Sequence, residues 1–247
     1  MLKKAVFLTL AGALLATPVA AQDLHEVLDN YYEAIGGVDA WKSVESMRAT
    51  GAMAMMGIEA PFVVTTKRPN KVRIEFSFQG MTGVQAYDGE TAWMLMPFMG
   101  RSDPEVMPVD MAKDVIDQAD LDGALIGWQE SGHQVELLGK EETAGTGAYK
   151  IKVTKKNGDV EYYFLDSEYY VPIKTEGSSM QQGRMVEFET ILSDYKEVGG
   201  LMIPHSVEAR PKGAPSGQVI TIEQVELNVE IDESTFTMPE KEAEGQQ

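Results

Sequence analysis

The chain has 247 residues, no cysteine, 43% hydrophobic residues and a formal net charge of −18. The missing cysteines exclude disulfides, thiol chemistry and a cysteine-linked lipid anchor. The acidic balance excludes nucleic acid as a partner, because phosphates would be repelled.

Residues 1–21 read as a secretory signal. Lys3 and Lys4 form a positive start, Ala5 to Ala16 is apolar, and Val19 and Ala21 fit the small-residue cleavage rule. The apolar run is about 12 residues, short of the ~20 that span a bilayer. Cleavage after Ala21 predicts an exported, soluble, periplasmic protein, and loss of the two lysines takes the net charge from −18 to −20.

Asp23 to Ile35 predicts an amphipathic helix. Leu24, Val27, Leu28, Tyr31, Tyr32 and Ile35 recur at helical spacing, and Gly36-Gly37 stops it. Asp39 is placed to cap a short second helix containing Ala40, Trp41 and Val44. Strands follow. From Met47, alternation puts Met47, Ala49, Gly51, Met53 and Met55 on one face, with a turn at Gly57. Phe62, Val64, Thr66 and Arg68 share a face of the next strand, which ends at the turn residues Pro69-Asn70. Val72, Ile74, Phe76 and Phe78 alternate with Arg73, Glu75, Ser77 and Gln79, so that strand is apolar on one side and wet on the other. Asp88-Gly89 predicts a hairpin. Thr91 to Phe98 is apolar on both faces and should be covered on both.

Residues 101–128 break the strand pattern. Pro104 and Pro108 precede Met111, Val115, Ile116 and Ala119 at roughly helical spacing, with Asp110, Lys113, Asp114, Asp117 and Asp120 opposite. This predicts a helical insertion, a natural lid, between two halves of a sheet. Alternating strands resume at His133 and run to Val229, with Asn157-Gly158 a further hairpin. With short loops and no βαβ alternation, the pattern predicts a mainly β fold: an antiparallel, strongly curved sheet or open barrel of about eleven strands. It forms a single domain over residues 22–239, followed by an acidic tail, 240–247.

Ten of the fifteen methionines lie between Met47 and Met111. Methionine suits surfaces that repack around variable apolar shapes. The expected cavity wall comprises Met53, Met55, Phe62, Val64, Ile74, Phe76 and Phe78, with Trp93 and Met96 from the next hairpin. Arg68 is the one charge whose parity places it on the apolar face, where it needs partners. Nothing points to catalysis, a metal or a cofactor: His25, His133 and His205 are far apart, Gly145-Thr-Gly-Ala lacks the Lys-Ser/Thr of a phosphate loop, and no Gly-x-Ser-x-Gly elbow occurs.

Three segments carry a family resemblance. Lys67-Arg68-Pro69-Asn70, then Asp88-Gly89-x-Thr91-x-Trp93-x-x-x-Pro97-Phe98, then Ser234-Thr-Phe236-Thr-Met-Pro239 resemble, in order and spacing, the LolA/LolB-like superfamily of envelope lipoprotein carriers, in its "outer membrane lipoprotein-sorting protein" branch. The resemblance implies an unclosed barrel with helices over its open concave face, an apolar cavity for lipoprotein acyl chains or related lipids, and no cofactor. It also implies a role for Arg68 in latching the lid. The implied partners are an inner-membrane releasing complex and an outer-membrane acceptor, met through transient membrane contact by a monomer. A lipid- or lipoprotein-sensing envelope module is the alternative, and an envelope hydrolase a weaker one.

Overall fold

The computed structural model describes residues 23–55, 58–143, 145–181 and 184–240. The expected signal segment, the turn at Gly57 and residues 241–247 of the tail lie outside the described residues.

Two helices open the chain, α1 (Leu24–Ala34) and α2 (Val38–Lys42). Gly36, at φ 103°, passes so close to the Gly200 backbone that an added Cβ would lie 2.1 Å from the Gly200 carbonyl oxygen. Only glycine fits both that conformation and that approach. Gly37, rather than Asp39, is the N-cap of α2.

Five strands follow: β1 (Ser46–Met55), β2 (Ile58–Lys67), β3 (Lys71–Phe78), β4 (Met81–Tyr87) and β5 (Ala92–Met96). After a 3-10 turn at Pro97–Met99 comes β6 (Arg101–Val106), then α3 (Val109–Asp117). The second half holds β7 (Gln134–Thr143), β8 (Thr146–Thr154), β9 (Val160–Asp166), β10 (Pro172–Gln181), β11 (Arg184–Val198), β12 (Leu201–Pro211) and β13 (Gln218–Leu227).

All thirteen strands join one antiparallel sheet in the order β6-β5-β4-β3-β2-β1-β13-β12-β11-β10-β9-β8-β7. The sheet is unclosed, with β6 and β7 as its edges, as the expected fold class requires. Thirteen strands replace the expected eleven or so, in part because residues 101–106 are a strand and not the start of the helical insertion. Pro104 hides it in the sequence, yet an edge strand has a free side where proline's missing N–H costs nothing. The insertion proper is residues 107–133, and it links one edge of the sheet to the other. β1 pairs with β13, Met47 opposite Leu227, and a bulge between Thr50 and Gly51 bends the seam.

The sheet is strongly curved. β4 and β12 stand five places apart, roughly 24 Å on a flat sheet, yet both contribute walls to one cavity. The core sits in several clusters. At the β7–β9 end, Val27, Leu28, Tyr31 and Ile35 of α1 pack with Leu125 and Ile126 against Tyr149, Ile151, Val153 and Leu165. At the other end, Val115 and Ala119 of the α3 region pack over Val72, Ile74, Ala92, Met94 and Met96. Between these covered ends the concave face is left hollow.

Candidate functional site

The hollow has a volume of about 510 Å³. Alternation builds it: Phe62 and Val64 on β2 pair with Phe76 and Ile74 on β3, and Ala49 on β1 lies opposite Val64. Across the seam, Ile220 pairs with both Met53 and Val207, and Ile222 pairs with Gly51. The lining is Ala49, Met53, Phe62, Val64, Ile74, Phe76, Val207, Ile220 and Ile222, with the amides of Gln85, Gln118 and Gln218, and no ionisable side chain. Gly51, between Phe62 and Ile222 in the ladder, has no room for a side chain, since a Cβ there would meet the Thr221 carbonyl oxygen at 2.0 Å.

Five of the expected wall residues therefore come together: Met53, Phe62, Val64, Ile74 and Phe76. Phe78 lies further along the same strand face and meets Phe98 edge-on at 6.0 Å. Met96 is buried in the cluster beneath α3. The side chain of Met55 lies outside the described residues. Trp93 is not on this face. Its partner across the ladder is Ala86, and it packs with Val84 and Ala86 on the opposite side of the sheet. Because β5 is buried on both sides, its apolar run carried no parity by which to orient Trp93. The methionine cluster also divides: Met94, Met96 and Met107 are buried under α3, Met53 lines the hollow, and Met99 and Met111 are exposed.

Arg68 sits where the β2–β3 corner meets the crossover. Its Nη2 and Nη1 donate to Oδ1 and Oδ2 of Asp122 at 2.6 and 2.8 Å, a two-pronged pair. The same guanidinium donates through Nε to the Val44 carbonyl (2.7 Å) and through Nη2 to that of Trp41 (3.0 Å). Both side chains are about four-fifths buried, at 19% and 22% exposure. The Asp122 hydrogen bond raises the Arg68 pKa, against burial, which opposes the charge. Asp122 thus joins the crossover to both α2 and the sheet corner. A bidentate, charge-assisted pair of this geometry contributes about 2 kcal/mol. Asp122 is the partner that a charge on the apolar face requires.

The far end of α3 is held by charge. Lys113 Nζ lies 2.7 Å from Asp159, and Lys155 Nζ lies 3.0 Å from Asp117 and 2.6 Å from Glu161. Burial disfavours the charged form of Lys155, but the two carboxylates outweigh it and raise its pKa. The Lys113 hydrogen bond holds Asp159 below the ordinary carboxylate range.

The C-terminal segment closes the convex side. The Trp93 indole donates to the Phe236 carbonyl at 2.7 Å, with both side chains fully buried. Arg73 donates to the Thr235 carbonyl (3.1 Å), and its guanidinium lies 5.6 Å from the Trp93 ring centre. Lys67 donates to the Ile231 carbonyl (2.8 Å), and Lys67 and Lys71 both pair with Glu233. The three segments that carry the family resemblance are therefore one physical feature: corner, hairpin tryptophan and closing segment meet on the back of the cavity wall.

Among the described residues, no helix is long and apolar enough to cross a membrane. No curated protein matches the chain in sequence. Solved structures match its fold over most of their length. A LolA superfamily protein from Nitrosomonas europaea is 16% identical with a TM-score of 0.58, covering 85% of this chain and 97% of that one. A DUF1329 family protein from Desulfovibrio piger is 13% identical (TM-score 0.57, 85% and 97% covered). A domain described as an outer membrane lipoprotein-sorting protein, from Vibrio parahaemolyticus, is 12% identical (TM-score 0.56, 85% and 94% covered). A family model whose description reads only "uncharacterized protein" matches residues 85–240, more than half of the chain. The chain belongs to that family, and its fold is that of the LolA/LolB-like superfamily.

Proposed function

We propose that the protein is a soluble periplasmic carrier that shelters the acyl chains of a lipoprotein or related lipid on the way to the outer membrane. The observation that carries this reading is the apolar hollow between the covered ends of the sheet, where the apolar faces of several strands converge on unfilled space among the described residues. Its volume of about 510 Å³ falls within the ~300–1,000 Å³ typical of ligand sites. Each methylene moved out of water contributes about 0.8 kcal/mol, so a hollow of this lining has ample driving force to hold a chain. Release then needs a cover that opens, and Arg68 with Asp122 is the proposed latch. Binding needs no catalytic group, metal or cofactor. The proposed domain is residues 22–239, and the proposed partners are a donor complex at the inner membrane and an acceptor at the outer.

Mass spectrometry of the native protein should find an acyl-bearing species, and a fluorescent acyl probe should be taken up in a saturable way. Phe76→Glu puts a charge on the wall and should abolish uptake while the far-ultraviolet spectrum stays unchanged. Retained uptake in that variant would remove the hollow as the binding site.

A further inference from the structure

Beyond Gln118 lies a second, larger hollow of about 770 Å³. Its walls come from Asn70 at the β2–β3 corner, the end of α3, residues 131–133 and the β8–β9 hairpin. Gln118 belongs to the walls of both hollows, so the apolar cavity and this polar cleft meet across one side chain. The two differ sharply in chemistry. The polar groups of the apolar cavity are three uncharged amides, of which Gln218 donates only to the weak acceptor Met53 Sδ at 3.2 Å.

The charges of the cleft largely cancel. Lys155 is already engaged by Asp117 and Glu161. What remains for a ligand is a mixture of donors and acceptors. Lys156 has no ion-pair partner among the described residues. Ser131 and Asn70 offer a hydroxyl and an amide, and His133 has its Nε2 spare, with Nδ1 3.4 Å from the Ala124 carbonyl. The Asp120 carboxylate accepts the Asp122 amide and is also hydrogen-bonded to the Gly123 backbone, which leaves part of its acceptor capacity for a ligand. One acid offsets one base, so the cleft offers no excess positive charge, and the chain around it carries −18. A phosphate or carboxylate head is disfavoured there. A neutral head with many hydroxyls, each both donor and acceptor, satisfies such a wall at every point.

We propose that the polar cleft is the headgroup subsite of the ligand whose chain lies in the apolar cavity, and that this headgroup is uncharged and hydroxyl-rich, as in a glycolipid. The inference rests on the carrier reading, and the test separates the two. Three probes share one dodecyl chain and differ in the head: dodecyl maltoside, dodecylphosphocholine and dodecanoate, each below its micelle concentration and titrated calorimetrically into the full mature chain. Dodecyl maltoside should bind about tenfold more tightly than dodecanoate, the gain expected of a few added neutral hydrogen bonds. The double substitution Ser131→Ala, Lys156→Ala touches two exposed side chains and should erase that preference by lowering dodecyl maltoside affinity to that of dodecanoate measured in the same variant. Gln118→Leu, at the junction, should lower maltoside affinity more than dodecanoate affinity. Equal affinity for all three probes, or a preference that survives the double substitution, would overturn the headgroup subsite while leaving the carrier reading standing. Tightest binding of dodecylphosphocholine would overturn the uncharged head. Binding of none of the three would overturn both.

Discussion

At the β7–β9 end of the sheet the chain fills its own concave face, whereas in the middle, across β12, β13 and β1 to β3, it leaves that face hollow. The two regions use the same alternation of apolar and polar residues. At the first, α1 and residues 124–126 cover Tyr149, Ile151, Val153 and Leu165, and burial is complete. At the second, α3 covers only the outer part of β3 to β5, and Phe62, Val64, Ile220 and Ile222 face empty space. The difference separates apolar surface spent on folding from apolar surface held in reserve. The cover is also tied down at specific points: besides Val115, Ala119, Leu125 and Ile126, which pack into the two flanking clusters, Arg68–Asp122 and the lysine–carboxylate pairs of α3 hold the crossover.

Truncating an isoleucine in each region is the most direct way to break this contrast. Ile151→Ala should cost about 3 kcal/mol by urea denaturation, because it opens a void in a closed core. Ile222→Ala should cost only about 1 kcal/mol, because its side chain already borders a void, but it should weaken acyl-probe uptake, which Ile151→Ala should not. Equal costs would mean that the hollow is packed in solution.

The latch comes next in size. Arg68→Leu and Asp122→Leu should each destabilise by about 2 kcal/mol, and the double variant by little more than either, as expected of one shared interaction. Both should speed acyl-probe release in stopped-flow measurements; unchanged release rates would limit the pair to a structural role. Trp93→Phe keeps a ring but loses the donor to the Phe236 carbonyl. It should cost about 1 kcal/mol and raise amide exchange over residues 232–238, with uptake unaffected. A fall in uptake would couple the back of the wall to the hollow.

The smallest effect is a pH dependence. Asp159 has its folded pKa lowered by Lys113, so its contribution is full at neutral pH and is lost as pH falls through that depressed value, below the usual ~4. The two side chains are about one-third exposed, so the gain is a few tenths of a kcal/mol. Exchange protection of α3 should therefore fall slightly more in wild type than in Asp159→Asn as pH drops from 6 to about 3. Identical profiles would show that the pair does not hold α3.

Much of this arrangement is legible in the chain itself, and the failures have physical causes. Residues 72–78 alternate cleanly, so the wall from β3 was readable, and with it Phe62 and Val64 on the preceding strand. The inward arginine followed from parity alone. Asp122 was not readable, because it ends a run of acids whose spacing looks like the wet side of a helix, whereas α3 stops at Asp117. The opposite wall was missed for another reason. Ile220 and Ile222 do alternate, but nothing local says that β13 returns to lie against β1. Strand pairing at long range is the information that period-2 patterns lack.

That pairing has a consequence for how the molecule comes into being. β1 to β6 and β7 to β13 are each a succession of neighbouring hairpins, which form from local contacts. The seam between β1 and β13 joins the first strand of the chain to the last. Loop closure over such a separation is slow compared with hairpin formation. Refolding should thus pass through two preformed meanders with exposed edges at β1 and β13, and the cavity, whose walls come from both, exists only after they join. A chain cut before Gln218 would keep both meanders largely intact, leave one side of β1 and one side of β12 without a partner strand, and be prone to edge-to-edge association.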